Sequence, residues 1–502
     1  MNQKKLGSIL SYLNILVTII SQFAYTPIML RILGQSEYGV FSLSQSVIGY
    51  LSLLNFGFSG SYLRFYSKYV ADGDNEGVKR LNAMYVIVFA GISTLICIGG
   101  FFIIQNIEQI IGKKFNAQEL ALTRLLMVIL TINMAVMMPN NAFCTFIFAQ
   151  EKFIFNKGME LLRSIGNPLI CLPVLLLGYG SIGMSYVMLV LSLISLAMNI
   201  YYCVQKIKLG FIFTDINWRL LIEIASFSFY IFLWSIVDQL NWQIGRIILS
   251  NTSGSAAVAV FAVGTQFCMM FLIFSTSLSG VFVPSVYKLV HESDAPKKIT
   301  DLMIKVGRLQ FYIVFFIWLG FVVFGKPFIN MWAGPQYMDA YWVGLLLMTP
   351  VIIALTQNIG IEVLRAYNKH QLRTWLHFFI AAFNVLVSFI LAEKYGIIGC
   401  SIGTCIATFL SSTVVANLIY IYVIKLEIGR FFAELLSMWK AVLVTLIIGF
   451  GIMKYTNIDS FGSFIGLVLL FSISYAIAFV MLAFNKNEKE MLKSFALRLR
   501  RA

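Results

Sequence analysis

Ser235, Asp238, Gln239, Trp242 and Arg246 form the densest set of chemically active groups in a chain that is 59% hydrophobic and only 12% charged. Their spacing, i, i+3, i+4, i+7 and i+11, places them within about 100° of one helix surface at 3.6 residues per turn. A carboxylate deep in an apolar run can exchange a proton or a cation, and an arginine fork suits an anion. Two readings fit this stripe: the wall of a polar cavity, or an interhelical contact in which Asp238 meets an arginine of another helix. Asn14, Thr18, Ser21 and Tyr25 make a softer stripe, which fits cavity lining and plain helix packing equally.

The other charges within or at the ends of apolar runs are mostly basic: Arg31, Arg64, Lys68, Arg163 and Arg365, the last beside Glu362. If they share a cavity with Arg246, the favoured ligand is an anion, and a diphosphate suits several arginines at once. Lys68 and Arg365 also fit a simpler role, snorkelling to the interface. Arg64 follows Asn55, Gly57, Ser59, Gly60 and Ser61, small or polar residues that let a ligand or a second backbone approach closely. The residues thus expected to act are Arg31, Arg64, Lys68, Arg163, Arg246 and Arg365 on an anion, and Asp238 and Glu362 in ion coupling. Asn14, Tyr25, Asn55, Trp234, Gln239 and Trp242 are expected to line the cavity. The seven cysteines lie in apolar runs with no CxxC spacing, and the three histidines form no cluster, so neither a metal site nor a disulfide framework is expected.

The elements that must position these groups are membrane helices. Mean hydropathy is +0.85, and apolar runs of about 20 residues recur from end to end, each long enough to cross roughly 30 Å of hydrocarbon. The runs and their polar breaks predict fourteen spans: 8–31, 38–63, 82–105, 122–148, 159–178, 181–204, 221–248, 256–286, 309–330, 342–365, 374–392, 397–422, 438–455 and 462–484. With the N-terminus inside, only Arg31, Lys113, Lys114, Arg124, Arg246, Lys326, Lys394 and Lys454 of 37 basic residues fall on the outer face. That asymmetry is the positive-inside pattern, so the net charge of +15 reflects orientation rather than a nucleic-acid-binding surface. The basic start runs into an apolar stretch without a cleavage signal, which reads as a retained first span. No loop is long enough to form a domain, and residues 485–502 read as a basic interfacial helix.

Sliding the chain by 220 positions pairs Val40-Phe41 with Val260-Phe261, Ser59-Gly60 with Ser279-Gly280, Lys68 with Lys288, Val70 with Val290 and Asp74 with Asp294. Spans two and eight then overlay in the same orientation, which predicts parallel six-helix halves. The expected fold is an all-α integral membrane protein of about fourteen transmembrane helices, in two six-helix lobes plus two C-terminal helices. The expected divisions are 1–208 (helices 1–6), 209–435 (helices 7–12), 436–484 (helices 13 and 14) and a tail of 485–502.

Residues 33–41, LGQSEYGVF, and 53–66, LLNFGFSGSYLRFY, resemble the opening signature of the polysaccharide, or O-antigen, flippases in the superfamily that also holds the multidrug and toxin extruders. The resemblance implies translocation of an undecaprenyl-diphosphate-linked oligosaccharide from the cytoplasmic to the outer leaflet of the bacterial inner membrane. It implies alternating access of two lobes, H+ or Na+ coupling, and membrane lipids, a polysaccharide polymerase and chain-length proteins as partners. Arg64 matches the basic residue ending the second-span motif. Asn55 replaces the Asp of many relatives, which leaves Asp238 as the deep carboxylate for coupling. The aromatics Tyr25, Tyr230, Trp234 and Trp242 suit stacking on sugars or ordinary packing. The alternatives are a multidrug extruder of the same superfamily and a membrane-embedded polymerase or glycosyltransferase. The latter is disfavoured because the outer connections are short, except the one from about Asn106 to Leu120, which has Glu108 and Glu119 but neither histidine nor a paired-carboxylate motif.

Overall fold

A computed structural model describes residues 3–111, 114–214, 218–279, 282–456, 458, 460–486 and 488–490. Every element among them is helical, as bilayer solvation of the backbone requires. Gly280 of the sequence repeat and residues 491–502 of the expected tail helix lie outside the described residues.

Among the described residues, eleven helices are long and apolar enough to span a membrane, or twelve if the bent pair Arg219–Ser226 and Ser228–Thr252 is one span. Two of the eleven are double: Ile9–Ala71 turns at Gly34 (φ 72°) and His370–Ile424 turns at Gly396 (φ 56°). Glycine alone adopts these left-handed conformations without strain, so each turn between two spans is written as one residue. The result is compatible with fourteen spans.

The backbone also carries the parallel repeat. Gly34 and Gly254, Glu151 and Asn368, Gly180 and Gly396, and Lys208 and Lys425 all have positive φ, at offsets drifting from 220 to 216 positions. Spans six and twelve each end in a π-helical turn, Tyr202–Lys206 and Tyr420–Ile424, just before the left-handed lysine. A buried amide pair recurs in the same way: Asn199 Nδ2 donates to Asn140 Oδ1 at 2.8 Å, and Gln357 Nε2 to Asn417 Oδ1 at 2.8 Å. These pairs tie span four to six and span ten to twelve, so the repeat extends to buried side chains.

By packing, the chain divides into two compact units, Met1–Ala262 with Asn384–Cys400, and Val263–Phe383 with Ser401–Ala502. Span seven packs in the first unit. There the LGQSEYGVF segment fastens helix ends: Glu37 Oε1 accepts from the Ser181 backbone N–H at 2.6 Å, capping Gly180–Tyr201. Ser36 Oγ donates to Glu119 Oε1 at 2.5 Å, and the Ser255 hydroxyl donates to the same oxygen. Gly39 lies so close to the Ser255 carbonyl that no Cβ fits there. This motif is therefore a knot of caps and close contacts joining spans one, two, four, six and eight.

The second unit is built on Ala295–Trp332. Its buried aromatics Phe311 and Phe324 pack with Phe431, Phe471 and Phe479 from the helices that follow span twelve. Arg308, 4% exposed, donates from Nε and Nη2 to Glu488 at 2.9 Å each, from Nη2 to the Ala483 carbonyl at 2.7 Å, and from Nη1 to Glu434 at 3.4 Å. Tyr312 Oη donates to Glu488 Oε2 at 2.9 Å. Spans thirteen and fourteen are thus fastened to span nine by a saturated charge cluster as well as by packing.

Candidate functional site

Span two is a broken helix. After Gly49 it tightens into a 3-10 turn, Tyr50–Asn55, passes through left-handed Phe56 (φ 49°) and Gly57 (φ 74°), and restarts as Phe58–Ala71. Gly57 is doubly constrained: its φ is left-handed, and a Cβ would stand 2.9 Å from Ile231 Cβ of span seven. Phe56 is held in place by stacking on Phe232 at 4.2 Å. The string NFGFSG therefore encodes a break packed against span seven, with backbone polar groups released where the two helices meet.

A cavity of about 510 Å³ opens at this break, lined from spans two, four and seven. Its polar lining is Ser52, Asn55, Ser59, Asn141, Ser235, Asp238 and Gln239, with Trp234, Phe56, Phe232, Met134 and Met137 supplying apolar walls. These residues fall near the middle of their spans, where polar groups are costly unless they face water or ligand. Asp238 is exposed and is the one charged residue in the lining among the described residues; the Trp242 side chain, one turn on, is within hydrogen-bonding reach of it.

On one side the cavity is bordered by a polar seam between spans two and seven. Tyr50 Oη donates to the Gln239 carbonyl at 3.2 Å, and Gln239 Nε2 to Ser52 Oγ at 3.4 Å, leaving Gln239 Oε1 buried without a partner. Further along, Arg246 Nη1 donates to Ser46 Oγ at 2.8 Å and Gln243 Oε1 at 2.7 Å. Arg246 is therefore part of the seam and does not line the cavity.

Of the residues the sequence singles out, the cavity brings together Asn55, Gly57, Ser59, Gly60, Trp234, Ser235, Asp238 and Gln239. The expected cations do not line it. Arg31, Arg64 and Lys68 are exposed, with the Arg64 guanidinium 6.0 Å from the Phe65 ring centre. Arg365 pairs with Glu362 at 2.7 Å. Asn14 donates to Glu160 at 3.3 Å and Thr18 to Ser164 at 3.2 Å, while Tyr25 adjoins Cys171, so the span-one stripe faces span five. Arg163, also on span five, has Cys144 and Glu160 as its electrostatic neighbours.

Sequence reading passed over the seam residues Ser46, Tyr50, Ser52 and Gln243. It also missed a chain in which Asn384 donates to Asn241 at 3.3 Å and Ser388 to Asn384 at 2.8 Å. Uncharged residues scattered on separate helices leave no spacing signal. The available hint was Gln243 itself, a large amide one turn before Arg246, an arginine within an apolar run.

Comparison with known proteins agrees with this architecture. The chain is 20% identical to the uncharacterized membrane protein EpsK of Bacillus subtilis (strain 168), over 94% of each chain. It is 18% identical to a putative O-antigen transporter of Shigella flexneri, over 76% of this chain and 89% of that one. Among solved structures, lipid II flippase MurJ in an inward closed conformation superposes with a TM-score of 0.74 at 14% identity, covering 94% of this chain and 97% of that one. An inward-facing multidrug resistance MATE family transporter gives 0.64 at 15% identity, covering 80% and 93%. The fold is the one shared by these transporters. A family model described as "Polysaccharide biosynthesis protein" matches residues 6–290, and the chain belongs to that family of multi-pass membrane proteins.

Proposed function

We propose that the protein is a flippase that carries an undecaprenyl-diphosphate-linked oligosaccharide from the cytoplasmic to the outer leaflet of the bacterial inner membrane, for surface polysaccharide assembly. The carrying observation is the mid-span cavity at the broken helix. Amides, hydroxyls and one carboxylate beside aromatic and methionine walls suit the sugar portion of such a substrate, whose hydroxyls find no partners in hydrocarbon. Arg64 and Lys68 lie on the exposed side of the half-helix that starts at the cavity, where they suit the diphosphate while the polyprenyl chain remains in lipid. The seam from Ser46 to Gln243 closes one end in this state and opens when the substrate is released. In this proposal Asp238 exchanges H+ or Na+ during the cycle, and both termini are cytoplasmic.

Complementation of a strain lacking its own polysaccharide flippase tests the reading. Wild type restores surface polymer, and Arg64→Ala reduces it at equal membrane abundance. If the wild-type chain moved no lipid-linked oligosaccharide in its native host, the proposal would be overturned. The acidic character of the single charge in the cavity favours a second reading, extrusion of organic cations. Raised drug tolerance without any effect on polymer would select it.

A further inference from the structure

We propose that spans four, five and six enclose a binding site for a compact inorganic anion of chloride size, held between Arg163 and Asn140 and distinct from the mid-span cavity. Asn140 is fully buried, and Asn199 is 1% exposed. Asn199 Nδ2 donates both to Asn140 Oδ1 at 2.8 Å and to Cys144 Sγ at 3.2 Å. Cys144, one helical turn from Asn140, is in turn an electrostatic neighbour of Arg163. At the two ends of this chain stand two buried donors with no partner, Asn140 Nδ2 and Arg163 Nη2.

Charge makes an anion the fitting occupant. The one carboxylate among the electrostatic neighbours of Arg163 is Glu160, and Glu160 already accepts from Lys157 Nζ at 2.8 and 2.9 Å and from Asn14 Nδ2 at 3.3 Å. Glu160 is thus shared with Lys157 at the part-exposed side of the helix, and the part-buried Arg163 guanidinium keeps an incompletely neutralised charge, a costly arrangement without a counter-ion. Water would satisfy a donor but would not supply the missing charge. The internal repeat offers a control. In the equivalent pair Gln357 donates to Asn417 and leaves an acceptor, Gln357 Oε1, unpartnered. The unmet donor of the Asn140–Asn199 pair is therefore not a by-product of pairing two amides.

The test is thermal unfolding of the purified full-length protein in sodium gluconate, chloride or bromide at equal ionic strength. The midpoint of wild type is expected to rise by about 2 °C or more in chloride and bromide, by mass action on the folded state. Arg163→Gln is expected to lose that rise. Asn140→Asp, which supplies a carboxylate at the position of the anion, is expected to fold stably in gluconate and to ignore chloride, so the site stays testable if Arg163→Gln fails to fold. Equal midpoints for wild type in all three salts, or an undiminished rise in Asn140→Asp, would overturn the proposal. So would stabilisation by farnesyl diphosphate but by no inorganic anion, which would give these donors to a lipid head group. None of these readouts depends on transport, so the site stands or falls apart from the flippase reading.

Discussion

Glu488→Gln removes the charge that neutralises Arg308 at the junction of spans nine and fourteen, while keeping size and one acceptor oxygen. Arg308 is 4% exposed and Glu488 16%, and their two contacts are both 2.9 Å. Breaking a buried pair from one side costs roughly 3–5 kcal/mol. Glu434 remains at 3.4 Å but is 48% exposed, so it offsets little, and a loss of about 3 kcal/mol is expected. Arg308→Met combined with Glu488→Leu should recover most of that loss, because an apolar pair leaves no stranded charge.

The same cluster sets a pH dependence. Burial pushes the Glu488 carboxyl up, but hydrogen bonds from Arg308, the Asn485 backbone and Tyr312 outweigh it and hold the group below its ordinary 4.5. A depressed folded-state value means that the stabilisation is fully present above pH 4.5 and is lost as pH falls through the folded value. Thermal unfolding of wild type and Glu488→Gln from pH 7 to pH 3 should therefore show a gap that narrows below pH 4.5. An unchanged midpoint for Glu488→Gln at pH 7, or a gap constant across the range, would refute the reasoning.

Gly57→Ala forces a side chain into a left-handed residue and against Ile231; a stability loss of about 1–2 kcal/mol from the backbone alone, with reduced surface polymer, is expected in denaturation and complementation assays. Asp238→Asn should preserve the unfolding midpoint and abolish gradient-dependent transport, measured in vesicles; retention of gradient dependence would exclude Asp238 from coupling. Replacing Glu37 by Ala uncaps span six and should lower stability by about 1 kcal/mol without altering the cavity lining. Ser46→Ala combined with Gln243→Leu removes the acceptors of Arg246 in the seam and should raise solvent access to a cysteine placed at Ser52, read by thiol labelling.

Much of the fold was legible because hydrocarbon imposes a one-dimensional rule: a helix must be long and apolar enough to cross it, and charge accumulates on one side. Spans, positive-inside pattern and parallel repeat all follow from residues taken in order along the chain. Gly34 and Gly396 illustrate how little is needed to turn the chain between spans, and they are visible as glycines between apolar runs. The QSEYG motif was legible as a signature but not as a mechanism, since its task is to cap span six and meet Glu119 and Ser255, residues far along the chain.

The candidate site divides along the same line. By itself the sequence determined that Asp238 and Gln239 share a helix face, that Asn55, Gly57 and Gly60 thin span two for close approach, and that cations are scarce within spans. Only the tertiary structure decided that this thinned stretch breaks against Ile231 and opens a cavity onto Asp238, that Arg246 is drawn into a seam with Ser46 and Gln243, and that Asn14 is used on Glu160. Periodicity fixes which side chains leave a helix together. Which neighbour they meet depends on how separate helices pack, and that is set by contacts between residues hundreds of positions apart.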